Sequence, residues 1–235
     1  MSLLGTLVAQ LFTSLPVPTK SFTGKTVVVT GSNTGLGLEA ARHFARLGAA
    51  TVILAVRSIA KGEAAKQAIE SSTGLENVVQ VWQLDMSSYQ SVLDFAARVE
   101  GLERLDAAVL NAGINAGKWE VFEQDESTLT VNVVSTFLLA LALLPKLKAT
   151  ATHFNTRPNL TVVASEVHFF TQFPEKSAPE GEIFKQLNIE RQDVQERYSA
   201  SKLLEVLVVR AMADRKPASQ IPVTINCLNP GFCKS

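Results

Sequence analysis

The sequence has 235 residues, 46% of them hydrophobic, so the chain can bury one sizeable core. Its 22 basic and 22 acidic residues cancel, which excludes whole-chain charge as a basis for binding nucleic acid or an anionic membrane. The two cysteines, Cys227 and Cys233, form neither a disulfide framework nor a metal-ligand spacing, which favours a reducing, cytoplasmic compartment.

Residues 1–20 are an apolar leading segment. Between Leu3 and Leu15 the apolar residues follow a helical period, which predicts an amphipathic helix. The segment lacks the basic region and the cleavage site of a signal peptide, and it is too short to span a bilayer. It either packs on the body of the fold or contacts a membrane surface or a partner, and Pro16 and Pro18 end it in both cases.

From Lys25 onward, strand patterns alternate with helical patterns. The predicted strands are residues 26–30, 51–56, 78–84, 105–110, 160–164 and 223–228. The first predicted helix follows the glycine motif and runs through Ala41 and Ala45 to Gly48. The other predicted helices are residues 60–70, 88–99, 132–148 and 198–214. Strands separated by helices imply right-handed crossovers and a parallel sheet. We therefore expect residues 21–235 to form one α/β domain, a three-layer, doubly wound Rossmann fold with six strands.

The longest irregular stretch is residues 166–197. It contains Phe169, Phe170 and Phe173, together with two prolines and several charges. A long loop in a compact domain is often functional, so we expect this insert to line a substrate pocket.

A glycine pattern, Gly31-x-x-x-Gly35-x-Gly37, lies between the first strand and the first helix. Glycines let the backbone turn tightly and approach a pyrophosphate that binds at the N-terminus of the helix. A glycine turn needed only for steric reasons would have the same pattern. The context nevertheless favours a dinucleotide site.

The end of the second strand carries no carboxylate. Enzymes that use NAD usually place an acid there to bind the ribose 2′-hydroxyl. Here the guanidinium of Arg57 suits a 2′-phosphate, and Lys61, one helical turn further on, could add positive charge. The alternative is that both residues are ordinary surface cations. The missing acid favours NADP(H).

Tyr198 and Lys202 are four residues apart on a predicted helix, so they lie on the same face. An ammonium close to a phenol favours the phenolate, and the pair therefore suits proton transfer at a substrate oxygen. Taken alone, such a pair is also common on solvated helices.

These motifs, in this order, resemble the short-chain dehydrogenase/reductase superfamily. The matching positions are residues 30–37, Asp85, Asn111-Ala112-Gly113, Asn132, Ser165, Tyr198 with Lys202, and Asn229-Pro230-Gly231. The resemblance runs from about residue 22 to the last residue. Finer features, among them the insert and residues 57–63, resemble the retinol-dehydrogenase-like branch and fungal reductases of secondary metabolism.

The resemblance implies an NADP(H)-dependent oxidoreductase that interconverts a ketone or aldehyde and an alcohol on a lipophilic small molecule. Tyr198 would donate or accept the proton, and Ser165 would hold the carbonyl oxygen. Lys202 would assist Tyr198 and bind the nicotinamide ribose, and Asn132 would hold a water that links Lys202 to solvent. The implied cofactor-binding residues are Gly31, Ser32, Asn33, Gly35, Leu36, Gly37, Arg57, Lys61, Asp85, Asn111, Ala112, Gly113, Tyr198, Lys202, Pro230 and Gly231.

Members of that superfamily continue past the Pro-Gly turn with a substrate-covering segment and a seventh strand, whereas this sequence ends at Ser235. We therefore expect weak cofactor binding and slow or no turnover. Two alternatives are a nucleotide-binding or regulatory protein without catalysis, and a hydratase or epimerase on the same fold. The resemblance also implies a homodimer or tetramer that pairs the apolar 132–148 helix and the Tyr198 helix.

Overall fold

The structure, a computed structural model, describes residues 16–190, 194–216, 220–231 and 233. The helix predicted within residues 1–15 lies outside the described residues. The strands are β1 (Thr26–Thr30), β2 (Thr51–Val56), β3 (Val79–Gln83), β4 (Ala107–Leu110), β5 (Val121–Phe122), β6 (Asp125–Glu126), β7 (Asn159–Val163) and β8 (Thr224–Leu228). The α-helices that matter below are α1 (Gly35–Arg46), α2 (Ile59–Thr73), α3 (Tyr89–Glu100), α4 (Thr136–His153), α5 (Ile183–Leu187) and α6 (Val194–Arg215).

Six of these strands form one parallel sheet in the order β3-β2-β1-β4-β7-β8, while β5 and β6 form a small antiparallel hairpin. In the centre of the sheet, Val28 on β1 pairs with Ile53 on one side and Ala108 on the other. The chain changes direction across the sheet between β1 and β4, which is where such folds open a crevice at the carboxyl ends of the strands. The predicted doubly wound parallel fold with six strands is confirmed.

Two apolar layers cover the sheet. Alternate residues of β1 enter different layers because side chains alternate across a strand: Val28 joins one, and Val27 and Val29 join the other. Helices α1 and α2 supply the layer of Val27, and α3, α4 and α6 supply the layer of Val28. All five residues of β1 are buried, as the apolar run predicts for a strand covered on both faces.

In the structure, the helix predicted over residues 132–148 extends further at both ends, and part of it is a wider π-helical turn. It begins with a short α-helical turn, Ser127–Leu129, passes through a π-helical segment, Thr130–Ser135, and continues as α4. By length and composition Ser127–His153 could cross a membrane, but 78% of its most apolar stretch is buried inside the fold. Its apolar character is therefore largely that of a core helix.

The insert 166–197 is more regular than predicted. It contains two 3-10 turns, Glu166–Phe169 and Pro174–Ser177, followed by α5. Its attachment to α6 includes a buried ion pair, in which Arg197 Nη1 lies 2.7 Å from Glu175 Oε1. Because Arg197 directly precedes Tyr198, this pair joins the insert to the start of the helix that carries the predicted proton donor.

Candidate active site

The glycine turn after β1 packs directly on the end of β4. Gly31 has a φ of +64°, and a Cβ there would lie 2.9 Å from Ala112 Cα. A Cβ on Gly37 would lie 2.6 Å from both Asn111 Nδ2 and Gly31 O. Larger side chains would push the two strand ends apart, so these glycines allow the backbone to form a close wall beside the N-terminus of α1.

Hydrogen bonds fix the same two strand ends to each other. Thr30 Oγ1 accepts from the backbone N–H groups of Asn111 (3.0 Å) and Ala112 (2.9 Å). In return, Asn111 Nδ2 donates to Thr30 O at 3.0 Å. The asparagine predicted from the resemblance therefore has a clear structural task, which is to hold the floor of the crevice.

A pocket of about 710 Å³ opens at the carboxyl ends of the strands. Most of the predicted site residues line it. They are Gly31, Asn33, Gly35, Leu36, Arg57, Asp85, Asn111, Ala112, Gly113, Ser165, Tyr198, Lys202, Pro230 and Gly231. The structure thus brings residues from seven separated parts of the chain to one cavity, with the glycine turn and the Tyr198 pair lining the same space.

Four predicted residues lie outside the pocket lining. Ser32 is fully buried, and its hydroxyl donates to Val29 O at 2.8 Å. Gly37 packs under the turn, as described above. Lys61 is exposed on the first turn of α2, and Asn132 is fully buried behind the pocket wall. Ser32 and Gly37 therefore shape the turn from beneath.

Asn132 lies in the π-helical segment and secures the loop after β4. Its Oδ1 accepts from the backbone N–H of Ile114 at 2.8 Å, and its Nδ2 donates to Ile114 O at 2.9 Å and to Ser201 Oγ at 3.0 Å. π-Helical turns inside α-helices often occur at functional sites. Here the wider turn carries the side chain that links the β4 loop to α6.

Tyr198 and Lys202 lie one turn apart on α6, as the spacing predicts. Lys202 Nζ is 5.8 Å from the centre of the Tyr198 ring. The ammonium also donates to Val163 O at 3.0 Å and to both carboxylate oxygens of Glu205, at 2.8 and 3.1 Å. Glu205 is fully buried, and that burial raises its pKa to about 7 although Lys202 acts in the opposite direction.

Glu205 was missed by the sequence reasoning. The available signal was its position three residues after Lys202, a spacing that places a carboxylate and an ammonium side by side on a helix. Most such pairs are solvated, and only the packing of α6 on the sheet shows that this one is buried.

Ser165 lies just after β7 and lines the same pocket. It caps the following 3-10 turn, since its Oγ accepts from Val167 N at 3.4 Å, and its carbonyl oxygen lies 2.6 Å from His168 Nδ1. These contacts hold the serine at the end of the strand, facing the cavity that Tyr198 also lines.

Charged residues also line the pocket. Arg57 is exposed at the end of β2, and Asp85 Oδ1 accepts from Ser87 N at 2.9 Å and Ser87 Oγ at 2.7 Å. The sequence reasoning did not single out Lys118 and Glu120, which also line the pocket and form an ion pair of 2.6 Å. Polar and charged side chains together with the glycine turn fit an anionic dinucleotide.

Residues 25–156, more than half of the chain, match the family described as short chain dehydrogenase. The chain belongs to the short chain dehydrogenase family. Members of this family bind a nicotinamide cofactor, which confirms the predicted class of cofactor.

The relatives include fungal members of the family. The chain is 54% identical to the short chain dehydrogenase/reductase dmxR8 of Cryptosporiopsis sp. (strain 8999), over 99% of this chain and 73% of that protein. It is 50% identical to the short chain dehydrogenase atnD of Emericella nidulans, over 95% of this chain and 72% of that protein. The resemblance to fungal reductases is thereby confirmed, whereas the retinol-dehydrogenase-like branch stays a prediction.

A similar solved structure is a short chain dehydrogenase from Escherichia coli CFT073, complexed with NADPH. It has a TM-score of 0.66 and 28% sequence identity, and the match covers 91% of this chain and 80% of that chain. The likeness extends to the parallel sheet and its flanking helices, and it agrees with the family assignment.

Proposed function

We propose that this short chain dehydrogenase is an NADP(H)-dependent oxidoreductase that interconverts a carbonyl group and an alcohol on a lipophilic small molecule of fungal secondary metabolism. The observation that carries the proposal is the pocket itself, because Ser165, Tyr198 and Lys202 line the same cavity as the glycine turn. A proton donor and a nucleotide-binding turn in one cavity are what a coupled reduction and protonation needs.

Bound NADPH would supply the hydride. In the reducing direction, Tyr198 gives its phenolic proton to the carbonyl oxygen as negative charge develops there. The Ser165 hydroxyl donates a hydrogen bond to the same oxygen and holds it in position. Lys202, one turn along α6, contributes positive charge beside the phenol and a donor for the nicotinamide ribose.

Asn132 keeps its predicted role in this proposal, which is to hold a water near Lys202. Its position is compatible with that role, because Asn132 Oδ1 and Lys202 Nζ lie beside the same face of Gly113. A Cβ on Gly113 would be 3.1 Å from the first atom and 3.5 Å from the second.

We infer the preference for NADP(H) from the charge at the end of β2. Arg57 is exposed at the rim of the pocket and no carboxylate occupies residues 55–58. A guanidinium binds a 2′-phosphate through paired hydrogen bonds, whereas the missing acid removes the usual partner of an NAD ribose. Lys61 would approach the phosphate from the first turn of α2, and Asp85 would contact the adenine amino group.

The lipophilic character of the substrate is inferred from the insert. Phe169 and Phe170 follow Ser165 closely in the chain, and their side chains are 71% and 56% exposed. Adjacent exposed aromatic residues so near Ser165 in the chain favour an apolar ligand.

NADPH oxidation, followed by absorbance with a panel of lipophilic ketones and aldehydes, tests the proposal. We expect turnover with at least one member, and none with Ser165→Ala and Tyr198→Phe combined. NADPH binding without turnover of any carbonyl would instead favour the nucleotide-binding or regulatory alternative. Absence of binding would contradict both.

We further propose a homodimer, or a tetramer built from it, in the cytoplasm. Members of the family are often oligomeric. Leu141 on α4 and Leu207 on α6 are exposed leucines on the two helices expected to pair, with 56% and 40% of their surface accessible. Burying both would remove apolar surface from water.

A further inference from the structure

The ammonium of Lys202 already contacts protein acceptors before any nucleotide enters the pocket. An ammonium has three N–H donors. The contacts of Lys202 Nζ are also three: Val163 O at 3.0 Å and the two oxygens of Glu205 at 2.8 and 3.1 Å. The N–H groups of an ammonium diverge, so the two oxygens of the Glu205 carboxylate share one donor. This contact draws the ammonium towards the buried carboxylate, whereas a ribose hydroxyl would draw it towards the pocket.

Glu205 lies on the buried side of this arrangement. Its side chain is 2% exposed and faces Lys202 on its own helix. From the sheet, the neighbouring titratable group is Cys227 on β8, whose thiol pKa is raised by burial and by the nearby Glu205 carboxylate. Burial is the main cause that raises the Glu205 pKa to about 7, so the carboxylate changes its charge close to neutral pH.

We propose that Glu205 is a positioning residue that competes with the nicotinamide ribose for Lys202, so that nucleotide affinity depends on whether Glu205 is ionised. The ionised carboxylate attracts the ammonium by its charge as well as by a hydrogen bond. The neutral acid lacks this charge attraction and binds the ammonium more weakly, which lets the ammonium move towards the ribose.

The proposal rests on the proposed nucleotide function and makes it dependent on pH. When a ribose hydroxyl draws Lys202 away, the buried carboxylate loses part of its counter-charge and binds a proton more readily. By linkage, nucleotide binding near neutral pH then takes up a proton, and nucleotide affinity falls as the pH rises.

The test measures dissociation constants for NADPH between pH 5.5 and 8.5, by calorimetry in buffers of different ionisation enthalpy. The comparison is between the parent protein and Glu205→Gln. At pH 8.5 we expect Glu205→Gln to bind NADPH about three- to tenfold more tightly than the parent, which corresponds to part of one charge-assisted hydrogen bond. At pH 5.5, where the parent carboxyl is neutral, the two affinities should agree within about twofold.

Two controls separate competition from a structural effect. Adenosine 2′,5′-bisphosphate carries the adenosine end of NADPH without the nicotinamide ribose, so Glu205→Gln should leave its affinity unchanged. The double variant Lys202→Met/Glu205→Gln leaves no unpaired buried charge. Because it lacks the ammonium, it should not show the tighter NADPH binding expected of Glu205→Gln. Thermal unfolding of each variant shows whether it is folded at every pH used.

Each outcome has one meaning. The role of Glu205 is overturned if the ratio of parent to variant NADPH affinity does not change with pH. It is also overturned if Glu205→Gln changes the affinities for NADPH and for adenosine 2′,5′-bisphosphate equally. Both results leave the proposed function intact. Proton uptake that persists in Glu205→Gln would also overturn it. If neither nucleotide binds the parent, the proposed function fails, and this inference fails with it.

Discussion

Arg57 is the residue on which the choice of cofactor depends. It lies at the pocket rim after β2, where the sequence offers no acid. If it binds the 2′-phosphate, Arg57→Asp should weaken NADPH binding about tenfold or more, since a charge-assisted contact contributes about 1.5–3 kcal/mol. NADH binding should change much less.

The matched control is Arg46→Asp, which makes the same charge change at the exposed, opposite end of α1. Fluorescence titration with both nucleotides measures the effect. Equal affinity of the parent for NADPH and NADH would contradict the assignment, as would equal weakening by the two variants.

Among single residues, those in the motifs could be predicted from the sequence, whereas the contacts that support them could not. Gly31 and Tyr198 follow from short patterns whose chemistry requires those residue types, and Asn111 and Ser165 follow from the resemblance to the family. Glu205 does not, because an exposed glutamate on a helix and one buried near β8 have the same local sequence. Only the packing of the helix on the sheet distinguishes them.

Among the elements, the insert and α6 are joined by the buried pair of Glu175 and Arg197. Removing one partner leaves an uncompensated buried charge, which typically costs about 3–5 kcal/mol. We therefore expect Glu175→Gln to lower the free energy of unfolding by about that amount, measured by urea denaturation.

The control is Glu182→Gln, which removes an exposed partner from the Glu182–Lys185 pair. Exposed pairs contribute about 0–1 kcal/mol, so this variant should be nearly neutral. A cost for Glu175→Gln as small as that of the control would show that the buried pair does not anchor the insert.

The central strands were predictable almost to the residue. β1 and β2 begin and end where the apolar runs do, since both faces of those strands are buried. The π-helical segment Thr130–Ser135 was not, because its extra width serves the contacts of Asn132 with the loop after β4. The 3-10 turns of the insert likewise depend on tertiary contacts rather than on a repeating pattern.

For the whole molecule, the raised pKa of Glu205 predicts a pH-dependent stability. The pKa is about 7 in the folded protein against an ordinary value of 4.5, so the folded state binds this proton more tightly than the unfolded state. This contribution of Glu205 to the free energy of unfolding is complete at pH values below the ordinary pKa of 4.5, and it is lost as the pH rises through about 7.

We expect the free energy of unfolding of the parent to fall between pH 5.5 and 8.5 relative to that of Glu205→Gln. Urea denaturation of both proteins at several pH values measures the difference. Parallel pH dependence of the two proteins would show that Glu205 titrates in the folded state as it does in the unfolded state.

The oligomeric state is a second property of the whole molecule that can be tested. Leu141, exposed on α4, should lie in the proposed dimer interface, and a charge there would be desolvated on association. We expect Leu141→Glu to shift the sedimentation coefficient to that of a monomer at micromolar concentration. Leu93→Glu on α3, a leucine that is 45% exposed, should leave it unchanged. A monomeric parent would contradict the proposed dimer.

The central claim is that Tyr198 is the proton donor of a reduction that uses NADPH, and one comparison tests it most directly. Turnover of NADPH with an accepted carbonyl is measured beside NADPH affinity for the parent, Tyr198→Phe and Tyr89→Phe, which replaces the other tyrosine of the chain. We predict that Tyr198→Phe lowers kcat by about 10²–10⁴-fold, the usual contribution of a positioned acid, while its NADPH affinity and the turnover of Tyr89→Phe stay near the parent values. Turnover of Tyr198→Phe within a few-fold of the parent would contradict the claim.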